Sequence, residues 1–566
     1  MNVQHIIKSE KISRLSILIA LLVFIFSANA ATAQVIPNTV DPGRQDQRFK
    51  PIEKPDISNE PLIAPEGKAQ RKGSSDDKVK FVLKSVSVEG ATDFSKSDIK
   101  SIYQEYIGKE VSLSYLHEMA DKITAKLRNQ GYALSSAIIP PQKIDNGHVI
   151  VRIVGGHIGK VKVESDKKES RPLIEEYADK IKNEKPLNFQ SLERYLLLAS
   201  DLPGVTARGY LSPSATPGAS DLVIKTTNKM VEGSVGVDNR GSRYLGPWEG
   251  NFNVQFNNVL GIYDKTAFHT NVTADTDELK YFELDHQEQL DSEGTKLNLA
   301  ASYVDSNPSS SLAPLSIEGI SRSLTVGLEH PFIRSRSVNL IGDASLDYRN
   351  VRSTSPVVPS YKDNIRALRA GGTVDFADPL SGLNRLSVHG SQGLDFDVTN
   401  NVAHSRANAE QDFMKANFEF DRIQNVFGPF SVELKAAGQA SNDTLFASEE
   451  FGVGGASIGS AYDSFEISGD SGIAGRGELQ FNQQTDIKYL PSYQLYGFYD
   501  AGKVWNNNAV AGQPSQASLT DTGAGVRFNA GYNISGSLEA ALPISRNVQA
   551  EGNKDARVFA SLAWHF

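Results

Sequence analysis

Two small α+β modules in tandem, followed by an antiparallel transmembrane β-barrel of about 16 strands, form the fold class that three features of this 566-residue sequence predict. The last residues place apolar side chains on every second position, Val558, Ala560, Leu562, Trp564 and Phe566, with an aromatic at the end and Ser561, Ala563 and His565 between them. Successive side chains of a strand point to opposite faces, so one face of this run can meet lipid while the other meets water. Between residues 80 and 228 the order strand, helix, helix, strand, strand occurs twice. After about Val231 the helical period vanishes and alternating runs continue to the end.

The chain opens with Lys8, Lys11 and Arg14 ahead of an apolar stretch over 15–26 and small residues at Ala28, Ala30, Ala31 and Ala33. That is the pattern of a secretory signal peptide, assigned to residues 1–33. No later run approaches the roughly 18 consecutive apolar residues of a membrane helix, so any span must be a barrel. Residues 34–79 carry Pro37, Pro42, Pro51, Pro55, Pro61 and Pro65 among charges and read as an extended linker. A short plugging helix over about 41–50 fits within it, with Pro42 in the first turn where a missing N–H costs nothing.

Composition closes several routes. Without cysteine, neither disulfides nor thiolates contribute. A net charge of −9 and no basic stripe argue against a nucleic-acid partner. There is no G-x-x-x-x-G-K-[ST] loop, so a nucleotide is not the source of drive.

The first module, 80–155, opens with strand residues at Val82 and over 85–88. Ser95 and Asp98 then mark a helix start, and Gly108 marks its end. Leu113, Leu116, Ala120, Ile123 and Leu127 recur at helical spacing up to Gly131. Strands over 133–139 and 148–154 flank the turn Asp145, Asn146, Gly147. The second module, 156–228, repeats this with a strand over 158–163, a helix over 173–181, a helix through Leu192, Tyr195, Leu196 and Ala199, and strands over 205–211 and 222–226. From residue 229 the barrel pattern includes Phe252, Val254 and Phe256, Leu297 and Leu299, Val338 and Leu340, and Phe413, Phe418 and Phe420. Polar stretches over 305–314, 353–364 and 506–521 suit outward loops. At roughly 20 residues per strand and connection, the remaining length gives on the order of 16 strands.

Two strings resemble hydrolase motifs: Gly455-Ala456-Ser457-Ile458-Gly459 spells G-x-S-x-G, and Gly469-Asp470-Ser471-Gly472 resembles a serine-protease nucleophile segment. The elbow chemistry needs a strand before and a helix after, and no helix is predicted here. A polar loop is the expectation, with no catalytic residue. His117, His148 and His157 lack metal-ligand spacing, and Asp275, Asp277 and Glu278 read as a solvated loop tip. No metal or cofactor is expected.

Several segments together resemble the outer-membrane transporters of two-partner secretion, the haemolysin and filamentous-haemagglutinin exporter type. In the first module these are Val86, Val88, Glu89 and Gly90, Gly131-Tyr132, Pro140-Pro141-Gln142 and Gly147. The second carries Leu196-Leu197-Leu198 and Asp201-Leu202-Pro203-Gly204-Val205, and Val237-Asp238-Asn239-Arg240-Gly241-Ser242-Arg243 with Gly246 resembles the start of that family's barrel. Phe498, Asp500 and Gly502 match its F-x-D-x-G strand. Gly454-Gly455, Tyr462, Gly469-Asp470 and Glu478-Leu479 align with the loop that normally carries V-R-G-[FY]. Here the aromatic is Tyr462 and the arginine has become Ser460, so the arginine that the family docks against the aspartate, here Asp500, is missing and Asp500 needs another partner.

The resemblance implies that the modules are POTRA domains in the periplasm and that the barrel sits in the outer membrane of a Gram-negative bacterium. It implies export of a large partner protein, received in extended form. Further implied contacts are outer-membrane lipids and the barrel assembly machinery, with Trp564 and Phe566 as the assembly signal. A barrel insertase of the Bam type, a passive porin with periplasmic binding domains and a surface hydrolase remain open alternatives at this point.

Overall fold

The computed structural model describes residues 36–49, 53–57, 63–65, 80–90, 94, 96–166, 172–396, 403–509 and 513–566. The signal peptide read over 1–33 lies outside the described residues. Among them, no helix is long and apolar enough to cross a membrane. Sixteen antiparallel strands instead form a closed barrel, from Val231–Asp238 to Arg557–His565, each pairing with its neighbour in sequence and the last with the first.

Alternation explains the wall. In Glu318–Arg334 the side chains of Leu324, Val326 and Leu328 point outward, and in the closing strand Val558, Leu562 and Trp564 do the same while Phe559 turns inward and is buried. At the seam, Phe566 exchanges backbone hydrogen bonds with Gly233, 3.0 and 3.2 Å. Its ring lies where a Cβ on Gly233 would stand, 2.3 Å from that position. The far end of the seam is clipped by Asn239, whose side chain donates to the Val558 carbonyl (3.0 Å) and accepts from the Ala560 N–H (2.7 Å).

Two expectations need correction, and a third holds in altered form. The strands run further than composition suggested: Val338–Thr354 and Tyr361–Ala377 take up both ends of the polar stretch 353–364, and Gln516–Ala530 takes up the end of 506–521. Backbone pairing in a closed sheet overrides local turn chemistry there. Phe413 precedes its strand, Met414–Phe427, and is buried with Phe446, Leu445 and Ile365 rather than facing lipid. The helix expected over 41–50 is present but short and of mixed type: Pro42–Arg44 is a 3-10 turn with Pro42 at its start, Gln45–Arg48 adds one helical turn, and a separate 3-10 turn, Asn38–Val40, precedes them.

In the first module the helix Leu113–Asn129 turns Leu116, Met119, Ile123 and Leu127 onto Val149, Val151 and Ile153 of the sheet. That sheet is ordered Ser85–Glu89, His148–Val154, Ser136–Ile138. The helix stops at Gly131, whose positive φ of 94° suits a residue without a side chain. A Cβ there would meet Asn188, and the Phe189 N–H donates to the Gly131 carbonyl (2.7 Å), so the stop also joins the modules.

The second module packs helices Pro172–Asn183 and Phe189–Ser200 on a sheet ordered Ile63–Pro65, Val205–Pro213, Ala219–Asn228, His157–Ser165. It is clamped to the barrel. Arg334 binds Asp201 through two hydrogen bonds of 2.7 and 2.6 Å, and Tyr263 from the first periplasmic turn is buried in the core of the module. The Asp201-Leu202-Pro203-Gly204-Val205 segment is therefore a joint: Gly204 has φ of 70°, and a Cβ on it would stand 2.1 Å from the Lys229 carbonyl.

Candidate functional site in the barrel lumen

Between the wall strands Phe430–Ser441 and Ser471–Gln484 the chain turns inward. A hairpin of Phe451–Val453 and Ile467–Gly469 carries residues 454–466 back into the lumen. Its close turn depends on Gly454, with φ of 124° and the Asp463 carbonyl 2.1 Å from where a Cβ would be. Gly455 and Gly459 also have positive φ, a conformation open to glycine at no steric cost. Gly469 and Gly502 permit contact with the wall: a Cβ on the first would meet the Trp505 carbonyl at 2.6 Å, and on the second the Val453 side chain at 2.6 Å.

Asp500 receives the loop. Its Oδ2 accepts from the N–H groups of Gly459 (2.8 Å) and Ser460 (3.1 Å), and both Ser460 and Asp500 are fully buried. The cation that the loop lacks comes from the wall. Arg476 stands directly across the ladder from Asp500, places Nη1 3.5 Å from Asp500 Oδ2 and donates to Ser460 Oγ at 2.8 Å. Its guanidinium lies 3.8 Å from the centroid of the Phe498 ring, an arrangement favourable to a cation. Serine at position 460 is thus small enough to leave room for Arg476 and polar enough to bind it.

Tyr462 anchors the other side of the loop, its hydroxyl 3.2 Å from the carbonyls of both Thr520 and Arg546. Arg557 donates to the Asp463 carboxylate (2.7 Å) and the Ala461 carbonyl (3.1 Å). Asp470, at the foot of the hairpin, pairs with Arg406 and accepts from the Leu445 and Asn507 N–H groups, 2.8 and 2.7 Å. The loop therefore collects Gly454, Gly455, Ser460, Tyr462, Phe498, Asp500 and Gly502 around one contact, with Gly469 and Asp470 at its base. Trp564 and Phe566 lie apart, at the periplasmic end of the seam. The serine strings find no helix after them; Ser471 begins a wall strand and its hydroxyl donates to the Ser441 carbonyl (3.0 Å).

A second element fills the lumen, and its contacts were not predicted by the sequence. In residues 36–49, Arg44 is 2% exposed, donates to the Ala447 carbonyl (2.7 Å) and Ser468 Oγ (3.0 Å), and pairs with Glu450. Asp46 is held by both Nη atoms of Arg349, 2.8 and 2.6 Å. Arg48 pairs with Glu249 (2.7 Å), and Val40 packs with Tyr244, Leu245 and Tyr281. The alternation Arg44, Asp46, Arg48 was the available signal, but it names no partners. Arg406 lies 3.0 Å from Glu450 as well, so Glu450 and Arg406 connect the segment to Asp470 and the loop.

On the periplasmic side, Glu293 of the turn after Leu279–Gln289 receives Lys180 and Arg194 of the second module. Partial burial opposes ionisation of Glu293, but hydrogen bonds and charge from Lys180 and Arg194 outweigh it and hold the carboxyl below its ordinary range. Burial likewise opposes the Lys180 charge, and the bond to Glu293 outweighs it and raises the ammonium pKa.

An apolar outer wall, a filled lumen and two α+β modules docked at one mouth define an outer-membrane β-barrel transporter with periplasmic POTRA domains. The haemolysin secretion/activation protein family, described by ShlB, FhaC and HecB, matches residues 218–528, and the ShlB-type POTRA domain matches residues 81–156. The chain belongs to that family. It is a two-partner secretion transporter that exports a large partner protein, in a family whose members are transporters. The heme/hemopexin transporter HuxB of Haemophilus influenzae (strain 86-028NP) is 26% identical over 525 residues, covering 89% of this chain and 90% of that one. The outer membrane transporter CdiB of Escherichia coli is 23% identical, covering 82% and 79%. The solved CdiB structure from Escherichia coli matches with a TM-score of 0.72 at 20% identity over 90% of this chain and 94% of that one. CdiB from Acinetobacter baumannii matches with 0.63 at 18% over 92% and 95%.

Proposed function

We propose that the POTRA modules capture an extended segment of the partner by adding it as a strand to a sheet edge. The barrel then passes the segment outward once residues 36–49 leave the lumen. Main-chain pairing suits a carrier of long sequences because it is indifferent to most side chains. The observation that carries the reading is the way residues 36–49 are held, by side-chain ion pairs to a charged wall, so the segment can be exchanged for another polar chain. Folding of the partner outside supplies drive, since a typical domain gains about 5–15 kcal/mol on folding. No nucleotide, cofactor, metal or catalytic residue is needed.

The same reading divides the chain into a signal peptide (1–33), a linker containing the plug (34–79), POTRA modules over 80–155 and 156–228, and the barrel from 229. It gives Asp500, Arg476, Ser460 and Tyr462 the task of docking the lumen loop. It gives Trp564 and Phe566 the task of presenting the closing strand to the barrel assembly machinery and the lipid interface. Deleting residues 80–228 should abolish export while heat-modifiable barrel still accumulates. Secretion at wild-type level by such a barrel would show that capture lies elsewhere.

A further inference from the structure

On three adjacent wall strands, Glu318–Arg334, Val338–Thr354 and Tyr361–Ala377, the side chains that alternate with the lumen-facing ones include Leu324, Val326, Leu346, Tyr348 and Leu368, all exposed as a lipid-facing surface requires. Toward the ends remote from the POTRA modules this face becomes basic. Arg322, Arg352, Lys362 and Arg366 continue the same alternation, while Ser321, Val351, Asp363 and Ile365 between them turn inward and are buried. The ladder gathers the four cations. Arg352 stands directly across from Lys362 on one side and Ile320 on the other, and Arg322 follows Ile320 by two residues. Arg366 is across from Tyr348, which is across from Leu324.

Their depth follows from the length of the strand. Arg334, bound to Asp201 of the second module, marks the periplasmic end of the strand that carries Arg322. The twelve residues between them make about 40 Å of strand, or on the order of 30 Å of height at a tilt of about 40°. The apolar band of such barrels is about 25 Å tall, so the cations stand at headgroup depth in the outer leaflet. Aromatic side chains belong at that boundary, and two are interleaved with the cations: the Arg322 guanidinium is 5.8 Å from the centroid of the Tyr303 ring, and that of Arg366 is 5.8 Å from that of Tyr348.

The protein itself does not neutralise this patch. Like charges directly opposite on a ladder destabilise it, yet Arg352 and Lys362 are register partners. Two carboxylates share this part of the face, Asp305 across from Ile320 and Glu318 across from Thr354, but among the described residues none of the four cations forms an ion pair. Asn350 and Asn364, in register with Arg322, bond to each other. Arg366 Nη1 is shielded from solvent and has no acceptor. A guanidinium offers paired N–H donors that match phosphate oxygens, and an ammonium adds a point charge. Lys362 and Arg366 are four residues apart, about 13 Å along the strand, which gives room for more than one phosphate.

We propose that Arg322, Arg352, Lys362 and Arg366 bind the phosphorylated sugar headgroup of an outer-leaflet glycolipid, whose acyl chains lie along Leu324, Val326 and Leu346. The direct continuation of the basic patch into apolar wall selects an amphiphile over a free anion.

The test titrates fluorescent lipid A, with both phosphates or enzymatically dephosphorylated, into the purified full-length protein in a nonionic detergent. Wild type should bind the phosphorylated form at least tenfold more tightly than the dephosphorylated one. Arg322→Gln, Arg352→Gln, Lys362→Gln and Arg366→Gln combined should erase that preference, with the barrel still heat-modifiable on gels. Arg352→Gln with Lys362→Gln, two exposed positions, keeps the test valid should the fourfold variant fail to fold, and should weaken binding of the phosphorylated form at least threefold. Equal binding of the two lipids by wild type, or an unchanged preference in the folded variants, overturns the proposal. Displacement of the lipid by excess inorganic phosphate would make this a free-anion site and overturn it too. Loss of secretion with unchanged lipid binding would assign the patch to the emerging partner instead.

Discussion

The two pieces of polypeptide inside the barrel are held by different forces. The loop over 454–466 is continuous with the wall at both ends and rests on backbone hydrogen bonds to Asp500, packing of Tyr462 and glycines that admit close approach. Residues 36–49 belong to no wall strand and are held chiefly by ion pairs at Arg44, Asp46 and Arg48. Withdrawing the first would break the geometry of the wall hairpin. Withdrawing the second leaves Glu450, Arg349 and Glu249 facing the lumen, where water or a passing polar chain can satisfy them. The plug is built to leave and the loop to stay.

The largest effect should come from attacking the plug. Arg44→Ala with Asp46→Ala takes the Asp46 carboxylate from Arg349 and leaves Glu450 with Arg406 as its remaining cation while the plug is in place, and breaking a buried pair costs roughly 3–5 kcal/mol. Even the lower figure shifts the plugged-to-open ratio by about 100-fold. Planar-bilayer recordings should show a channel open most of the time. Brief, rare openings as in wild type would mean that apolar contacts around Val40 suffice to hold it.

A smaller effect is expected at the loop. Arg476→Ala strips Asp500 of its cation and Ser460 Oγ of its donor while the two backbone bonds remain, so we expect a lower unfolding temperature and several-fold less secretion. The sequence alone suggests that Ser460→Arg would restore the missing arginine and steady the loop. With Arg476 already in that space, the added guanidinium meets a like charge in a fully buried position and should loosen the loop. Ser460→Arg combined with Arg476→Ala should recover what each single change loses. If Ser460→Arg alone raises the unfolding temperature, Arg476 is not the working partner of Asp500.

The clamp between the second module and the barrel should respond to pH. Glu293 has a lowered pKa, so its contribution is present above the ordinary carboxylate value of 4.5 and is lost as pH falls through the lower folded value. Lys180 has a raised pKa, so its contribution is present below 10.5 and is lost as pH rises through the higher folded value. Protection over Pro172–Asn183, the hydrogen-exchange rate relative to the intrinsic rate at each pH, should therefore be highest between about pH 5 and 10 and fall outside that window. In Glu293→Gln the acid limb should vanish, and an unchanged acid limb would assign it to other carboxylates. The smallest effect is at the G-x-S-x-G string, where Ser457→Ala should leave secretion at wild-type level, and a loss of secretion with normal folded yield would reopen the hydrolase reading.

What the sequence by itself determined is whatever repeats locally. Alternation such as Phe252, Val254 and Phe256 marks a lipid-facing strand, Leu116, Ile123 and Leu127 mark a core-facing helix, and the terminal Trp564 and Phe566 mark the closing strand, because each pattern depends only on neighbours a few residues away. The missing arginine at Ser460 was also legible, as a gap. The tertiary structure alone decided what fills it. Arg476 reaches Asp500 because the barrel ladder sets those two strands in register, and Arg44 meets Glu450 across 406 residues of sequence. Likewise nothing in Ile63, Ala64 and Pro65 announces a strand; that short run becomes one only because Val205–Pro213 presents an open edge beside it. Such pairings depend on closing long loops, a cost repaid only by the assembled fold, so they leave no periodic trace in the chain.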